Sequence, residues 1–136
     1  MSVTIENQSL PSRPDSRISD IRYILDNLPE LRLVLASGNF FCVGEDVIEA
    51  YTALSDRMIH AHVKDWRFSP TGAMSRENIP RFEGCAIGDG ILPLAELFDK
   101  LRADKYDGNL VLEVNACDIT REVLDRSCDY LVKQIG

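Results

Sequence analysis

Apolar positions along the chain follow two alternating rhythms. Short β-branched or leucine-rich runs are each followed by a stretch with helical spacing, which predicts four βα units and a parallel sheet. The first predicted strand is Val3-Thr4-Ile5-Glu6. Its helix starts near Asp15-Ser16, carries Ile18, Ile21, Ile24, Leu25 and Leu28 on one stripe, and stops at Pro29. A second strand is expected over 31–37, with Gly38-Asn39 as its exit and a helix over 45–54 striped by Val47, Ile48, Tyr51 and Leu54. The third strand is expected over 57–64 and the third helix over 93–103. The fourth strand falls at 108–114, with a last helix over 120–134. From Asp65 to Leu92 the pattern breaks at Pro70, Gly72, Pro80, Gly84, Gly88 and Gly90, and an irregular stretch of that length reads as a lid over a functional site. No linker composition separates the units, so 1–136 is expected to be one domain.

Counting in twos along each strand assigns its faces. Val3 and Ile5 oppose Thr4 and Glu6, and Leu33 and Leu35 oppose Val34 and Ala36. In the third strand Ile59, Ala61 and Val63 oppose Met58, His60, His62 and Lys64. In the fourth, Leu110, Leu112 and Val114 oppose Val111 and Glu113. One face is therefore aliphatic and suits packing under helices. The other ends in Glu6, Ala36, His62 and Glu113 at the carboxyl edge, where parallel α/β folds bind ligands. A single carboxylate or imidazole at a strand end is ordinarily a loop anchor. Three in phase point instead to a cation site, because charges gathered at a barrel mouth are costly without one.

Composition narrows the function further. The net charge of −7 arises from acids spread along the whole chain, which argues against a nucleic-acid partner, since that would need a basic stripe. No apolar run nears the roughly 20 residues that span a bilayer, and the first residues lack a signal-peptide pattern, so a cytoplasmic protein without membrane contact is expected. Cys42, Cys85, Cys117 and Cys128 contain no Cys-x-x-Cys pair and read as reduced thiols. Cys117 lies just beyond a predicted strand end, with no neighbouring base to make it a nucleophile.

The segment His60-Ala61-His62-Val63-Lys64-Asp65-Trp66 resembles the His-x-His-x-Lys-Asp-Trp strand of the sugar-phosphate isomerase/epimerase group of xylose isomerase-like TIM barrels, the AP endonuclease family 2 type. Around it, Val3-Thr4-Ile5-Glu6-Asn7 resembles the fifth strand of that family. Gly38-Asn39-Phe40 is similar to the turn after the sixth, Gly88-Asp89-Gly90-Ile91 to the turn before the seventh helix, and Leu110-Val111-Leu112-Glu113 to the eighth strand. The resemblance covers nearly the whole chain and implies a (βα)4 half-barrel, strands five to eight of a fold that typically needs about 250 residues. A half-barrel leaves two open sheet edges. The expected partner is a second copy or a complementary N-terminal half, with collapse into a small open sheet as the alternative.

The resemblance further implies one divalent cation held by Glu6, His62 and Glu113. Ala36 stands where the family has an aspartate, which weakens the site; Asn39 or water is the expected substitute. Oxygen-rich ligands with one imidazole suit manganese first, then magnesium, cobalt or zinc. The implied chemistry is isomerisation or epimerisation of a small sugar or polyol through an enediolate, with Glu6 and Glu113 as the proton-transfer pair. Asn39, His60, Lys64, Asp65 and Arg67 are the expected substrate-binding residues, with Lys64 and Asp65 holding either the loop or a substrate oxygen. His60 also suits a place behind the ligands, and Arg67, Arg76 and Arg81 with Gly88-Asp89-Gly90 would suit a phosphate. Two other readings compete: a non-catalytic half-barrel that keeps the fold without the metal, and an abasic-site endonuclease, which would need more than the two histidines present.

Overall fold

The computed structural model describes residues 2–116 and 119–136. Cys117 lies outside the described residues. The chain divides into two compact units, Met1–His62 with Asp107–Val111, and Val63–Tyr106 with Leu112–Gly136. Among the described residues no helix is long and apolar enough to cross a membrane.

The first unit is built on β1 (Val3–Glu6), β2 (Leu31–Ala36), β3 (Met58–Val63) and β7 (Asn109–Leu112), hydrogen-bonded in the order β1-β2-β3-β7, the last residues of β3 and β7 falling in the second unit. β1 pairs parallel with β2 and β2 parallel with β3, as strands joined through helices must to lie side by side in one direction. α1 (Ile18–Asn27) packs against β2 and α3 (Val47–Leu54), and α2 (Ser37–Cys42) packs against α3. The core is aliphatic and aromatic: Ile21, Leu25, Leu33, Phe40 and Leu54 are fully buried, each contributing about 1.5–3 kcal/mol by transfer from water.

Local chemistry sets the helix ends. Asp46 caps α3 by accepting from the amides of Ile48 and Glu49 at 2.7 and 3.0 Å. α1 has no capping side chain of its own; the Glu45 carboxylate accepts from the Ile18 amide at 2.7 Å instead. Its far end is gripped by Arg57, whose guanidinium donates to the carbonyls of Leu25, Leu28, Pro29 and Leu31 at 2.6–3.1 Å. All four anticipated strands and all four anticipated helices are present, within a few residues of their expected limits. In the first unit Gly38-Asn39 is not an exit turn but lies inside α2.

The second unit carries the larger correction. The stretch 65–92, expected to be irregular, holds an antiparallel sheet in the order β4 (Asp65–Phe68), β6 (Ile79–Cys85), β5 (Met74–Arg76). Asp65 pairs with Cys85, Trp66 with Gly84, Arg67 with Glu83 and Phe68 with Phe82. The β5–β6 turn runs through Glu77-Asn78, with Asn78 at φ 60°, a left-handed conformation that asparagine tolerates. Trp66 meets Phe82 edge-on at 5.4 Å, giving this small sheet a buried apolar side. α4 (Leu94–Ala103) and α5 (Arg121–Ile135) complete the unit. Ser127 of α5 accepts from the Ile87 amide at 3.0 Å and donates to the Val123 carbonyl at 2.7 Å.

Candidate metal centre

In the first unit, Glu6 closes β1 and His62 is the next-to-last residue of β3. Glu6 Oε1 and His62 Nδ1 share a hydrogen bond at 3.2 Å, and both side chains are partly open to solvent. His60 lies on the same face, its ring 5.1 Å from that of His62 and edge-on to it, as the count in twos requires. Ala36 is level with His62 across the β2–β3 ladder and fully buried. The ladder shifts register at Leu33/Val34, and residues 33–36 are buried on both faces, so alternation alone does not separate the sides of β2.

Asn7, which sequence reasoning did not single out, organises this edge. Fully buried, it accepts from the Ala36 amide at 2.8 Å and donates to the Ala36 carbonyl at 3.2 Å, continuing the ladder one step past β1 with a side chain. Asn39 Nδ2 donates to the Asn7 carbonyl at 2.7 Å, so Asn39, expected to reach a substrate, is buried and engaged in holding the loop.

In the second unit, Glu113 lies one residue past β7, and its amide still donates to the Val63 carbonyl at 2.9 Å. Lys64, 5% exposed, places Nζ 2.9 Å from Glu113 Oε1. A lysine at a strand end is commonly solvated; this one is enclosed and ion-paired.

Asp65 is buried, and its two oxygens accept from four backbone amides: Trp66 and Leu92 on Oδ1 at 2.9 and 3.2 Å, Gly88 and Gly90 on Oδ2 at 3.0 and 2.9 Å. Burial pushes its pKa above the usual carboxylate value against the opposing pull of those amides. Gly88 turns with φ +93°, and any Cβ on Gly90 would run into the Asp65 carboxylate, so the glycines exist to let the loop wrap it. Asp65 thus holds the loop, one of the two roles open to it from the sequence. Arg67 is exposed and donates twice to Glu83 Oε1, at 3.0 and 2.8 Å. Arg81 donates to the Gly72 carbonyl at 2.7 Å. Neither arginine converges with the strand-end residues through these contacts. The buried Cys85 thiol is pushed up to about 12 and is not a nucleophile at neutral pH.

Glu6, His62 and Glu113 are of the residue types that hold a divalent metal ion. The donor chemistry fits: two carboxylates and one imidazole supply hard oxygen and borderline nitrogen while leaving coordination positions for a ligand.

The sequence matches the profile of the xylose isomerase-like TIM barrel family over residues 2–134, and the chain belongs to that family. No curated protein matches it by sequence. Among solved structures it is similar to the IOLI protein with a bound zinc atom, at TM-score 0.75 and 17% identity over 99% of this chain and 49% of that one. It is also similar to AsbF of Bacillus anthracis, a probable 3-DHS dehydratase, at TM-score 0.74 and 18% identity over 97% and 49%. A third is the D-allulose 3-epimerase of Methylomonas sp. in complex with D-allulose, at TM-score 0.60 and 17% identity over 96% and 41%. At these identities the likeness concerns the fold: a parallel four-stranded sheet with helices that matches half of a TIM barrel. The chain spans about half the length of the structures it matches.

Proposed function

We propose that this chain, read as one half-barrel domain, contributes the metal-binding half of a sugar isomerase or epimerase. The observation that carries the reading is the pairing of Glu6 with His62 at 3.2 Å at one strand-end edge, with Glu113 as the third ligand of the proposed set. A divalent ion bound there, manganese by the donor set, would polarise a substrate carbonyl and stabilise negative charge on its oxygen. Glu6 and Glu113 would take and return the proton at the adjacent carbon, and His62 would serve as the imidazole ligand of the ion. A relative of this fold with D-allulose bound supports a small sugar or polyol as substrate, and one with zinc supports a metal. The expected setting is the cytoplasm.

β1 and β7 stand at the two ends of the sheet order, which supports completion by a second copy or by a separate half-barrel. Light scattering on the purified full chain, followed by metal analysis of the peak, tests both points. A dimer carrying metal near one ion per chain is expected. A stable, metal-free monomer would overturn the reading. One observation favours a second, non-catalytic reading: Ala36 places a methyl group level with His62, where a carboxylate would have added a ligand.

A further inference from the structure

We propose that Lys64 is a positioning residue for Glu113: its ammonium takes Glu113 Oε1, fixes the carboxylate and offsets part of the negative charge that a bound cation would meet. The inference rests on the metal-centre reading above. Two successive residues hold Glu113, since the Val63 carbonyl takes its amide at 2.9 Å and Lys64 Nζ takes its carboxylate at 2.9 Å.

Lysine suits this task as a compact point charge, and an ammonium as buried as Lys64 persists only beside a counter-charge. The charge balance points the same way. Glu6 and Glu113 bring two negative charges, Lys64 returns one positive charge, and a ligating His62 is neutral. A divalent ion then leaves the centre with one net positive charge. That excess is matched by a single anionic oxygen on the incoming ligand, the charge that develops when a proton leaves the carbon beside a carbonyl. Lys64 thus trades tightness of ion binding for a centre that still attracts a ligand oxygen.

The test is calorimetric titration of the full chain with manganese(II), comparing wild type with Lys64→Met, Lys64→Gln and Lys64→Arg, each checked for its melting temperature. Removing the ammonium frees Glu113 Oε1 and lifts a like charge from the ion, so Lys64→Met should bind manganese on the order of tenfold more tightly. Lys64→Arg should stay within about threefold of wild type, because it restores a cation on the same oxygen. Lys64→Gln gives the same reading as Lys64→Met if the methionine variant does not fold. A merely structural lysine would give the opposite sign, weaker binding together with a lower melting temperature. Unchanged or weakened binding in a folded, neutral variant overturns the proposal while leaving the metal centre intact. Wild type that binds no manganese overturns both.

Discussion

Asn7 brackets the backbone of Ala36, accepting from its amide at 2.8 Å and donating to its carbonyl at 3.2 Å. One buried side chain therefore does for the end of β1 what a further strand residue would do. It also fixes the chain immediately after Glu6. Asn7→Ala would leave a buried amide and a buried carbonyl without that partner, at a cost of about 3 kcal/mol. Urea unfolding, read as a lower midpoint at unchanged slope, checks this. A midpoint equal to wild type would mean the two bonds contribute nothing.

Ala36 faces the same side of the sheet as His62 across the ladder. Ala36→Asp should tighten manganese binding by about tenfold or more, since a third carboxylate joins the donor set. It should also lower stability by about 1–3 kcal/mol in the metal-free chain, because the site is fully buried and the added atoms must be fitted. Calorimetry and thermal melting with and without manganese separate the two effects. Stability lost without any gain in affinity would place the cation elsewhere.

Asp65 holds the amides of Trp66, Gly88, Gly90 and Leu92. Asp65→Ala releases all four, and a loss of about 3 kcal/mol or more is expected from that many unsatisfied donors. Hydrogen exchange should accelerate at Gly88, Gly90 and Leu92 well before the helices are affected. Uniform protection in the variant would show that the loop holds its shape without the carboxylate.

Gly88 sits at φ +93°, with the Tyr130 ring where a side chain would begin. Gly88→Ala should cost about 2–4 kcal/mol, combining backbone strain with displacement of the ring. The displaced ring should also register as altered near-ultraviolet dichroism, because Tyr130 packs edge-on to Phe98 at 6.3 Å. Retention of the wild-type melting temperature would contradict this packing.

Thiol reactivity gives a check that needs no mutation. Cys85 is buried with its pKa pushed up to about 12, Cys42 is buried, and Cys128 on α5 is exposed. Iodoacetamide at neutral pH should modify Cys128 at least about tenfold faster than Cys85 in the folded chain, since the thiolate is the nucleophile. Peptide mapping by mass spectrometry reads the difference. Equal rates would mean the second unit opens freely.

The periodic elements were legible because burial of one face writes itself into the order of residues. Val3–Glu6 and Leu94–Ala103 lie within a residue of their expected limits for that reason. The antiparallel sheet was hidden because Pro80 and Gly84 interrupt β6, and because its turn at Glu77-Asn78 lacks the glycine that usually marks a hairpin. Alternation brought Glu6, His62 and Glu113 to notice, whereas Asn7 went unnoticed: an asparagine after a strand looks like any turn residue until its contacts are seen. The partners of Asp65 and Arg67 are hidden on similar grounds. Sequence shows that a charge is present but not whether backbone amides or a neighbouring glutamate already occupy it.

The antiparallel pairings of Asp65–Phe68 with Ile79–Cys85, and of Met74–Arg76 with Ile79–Cys85, join residues close together in sequence, whereas β1–β2 and β2–β3 partners are separated by whole helices. Short loops close in microseconds and long ones pay a growing entropic toll, so the hairpin has a kinetic head start. The parallel pairings therefore set the pace of folding, since each waits on closure of a helix-length loop.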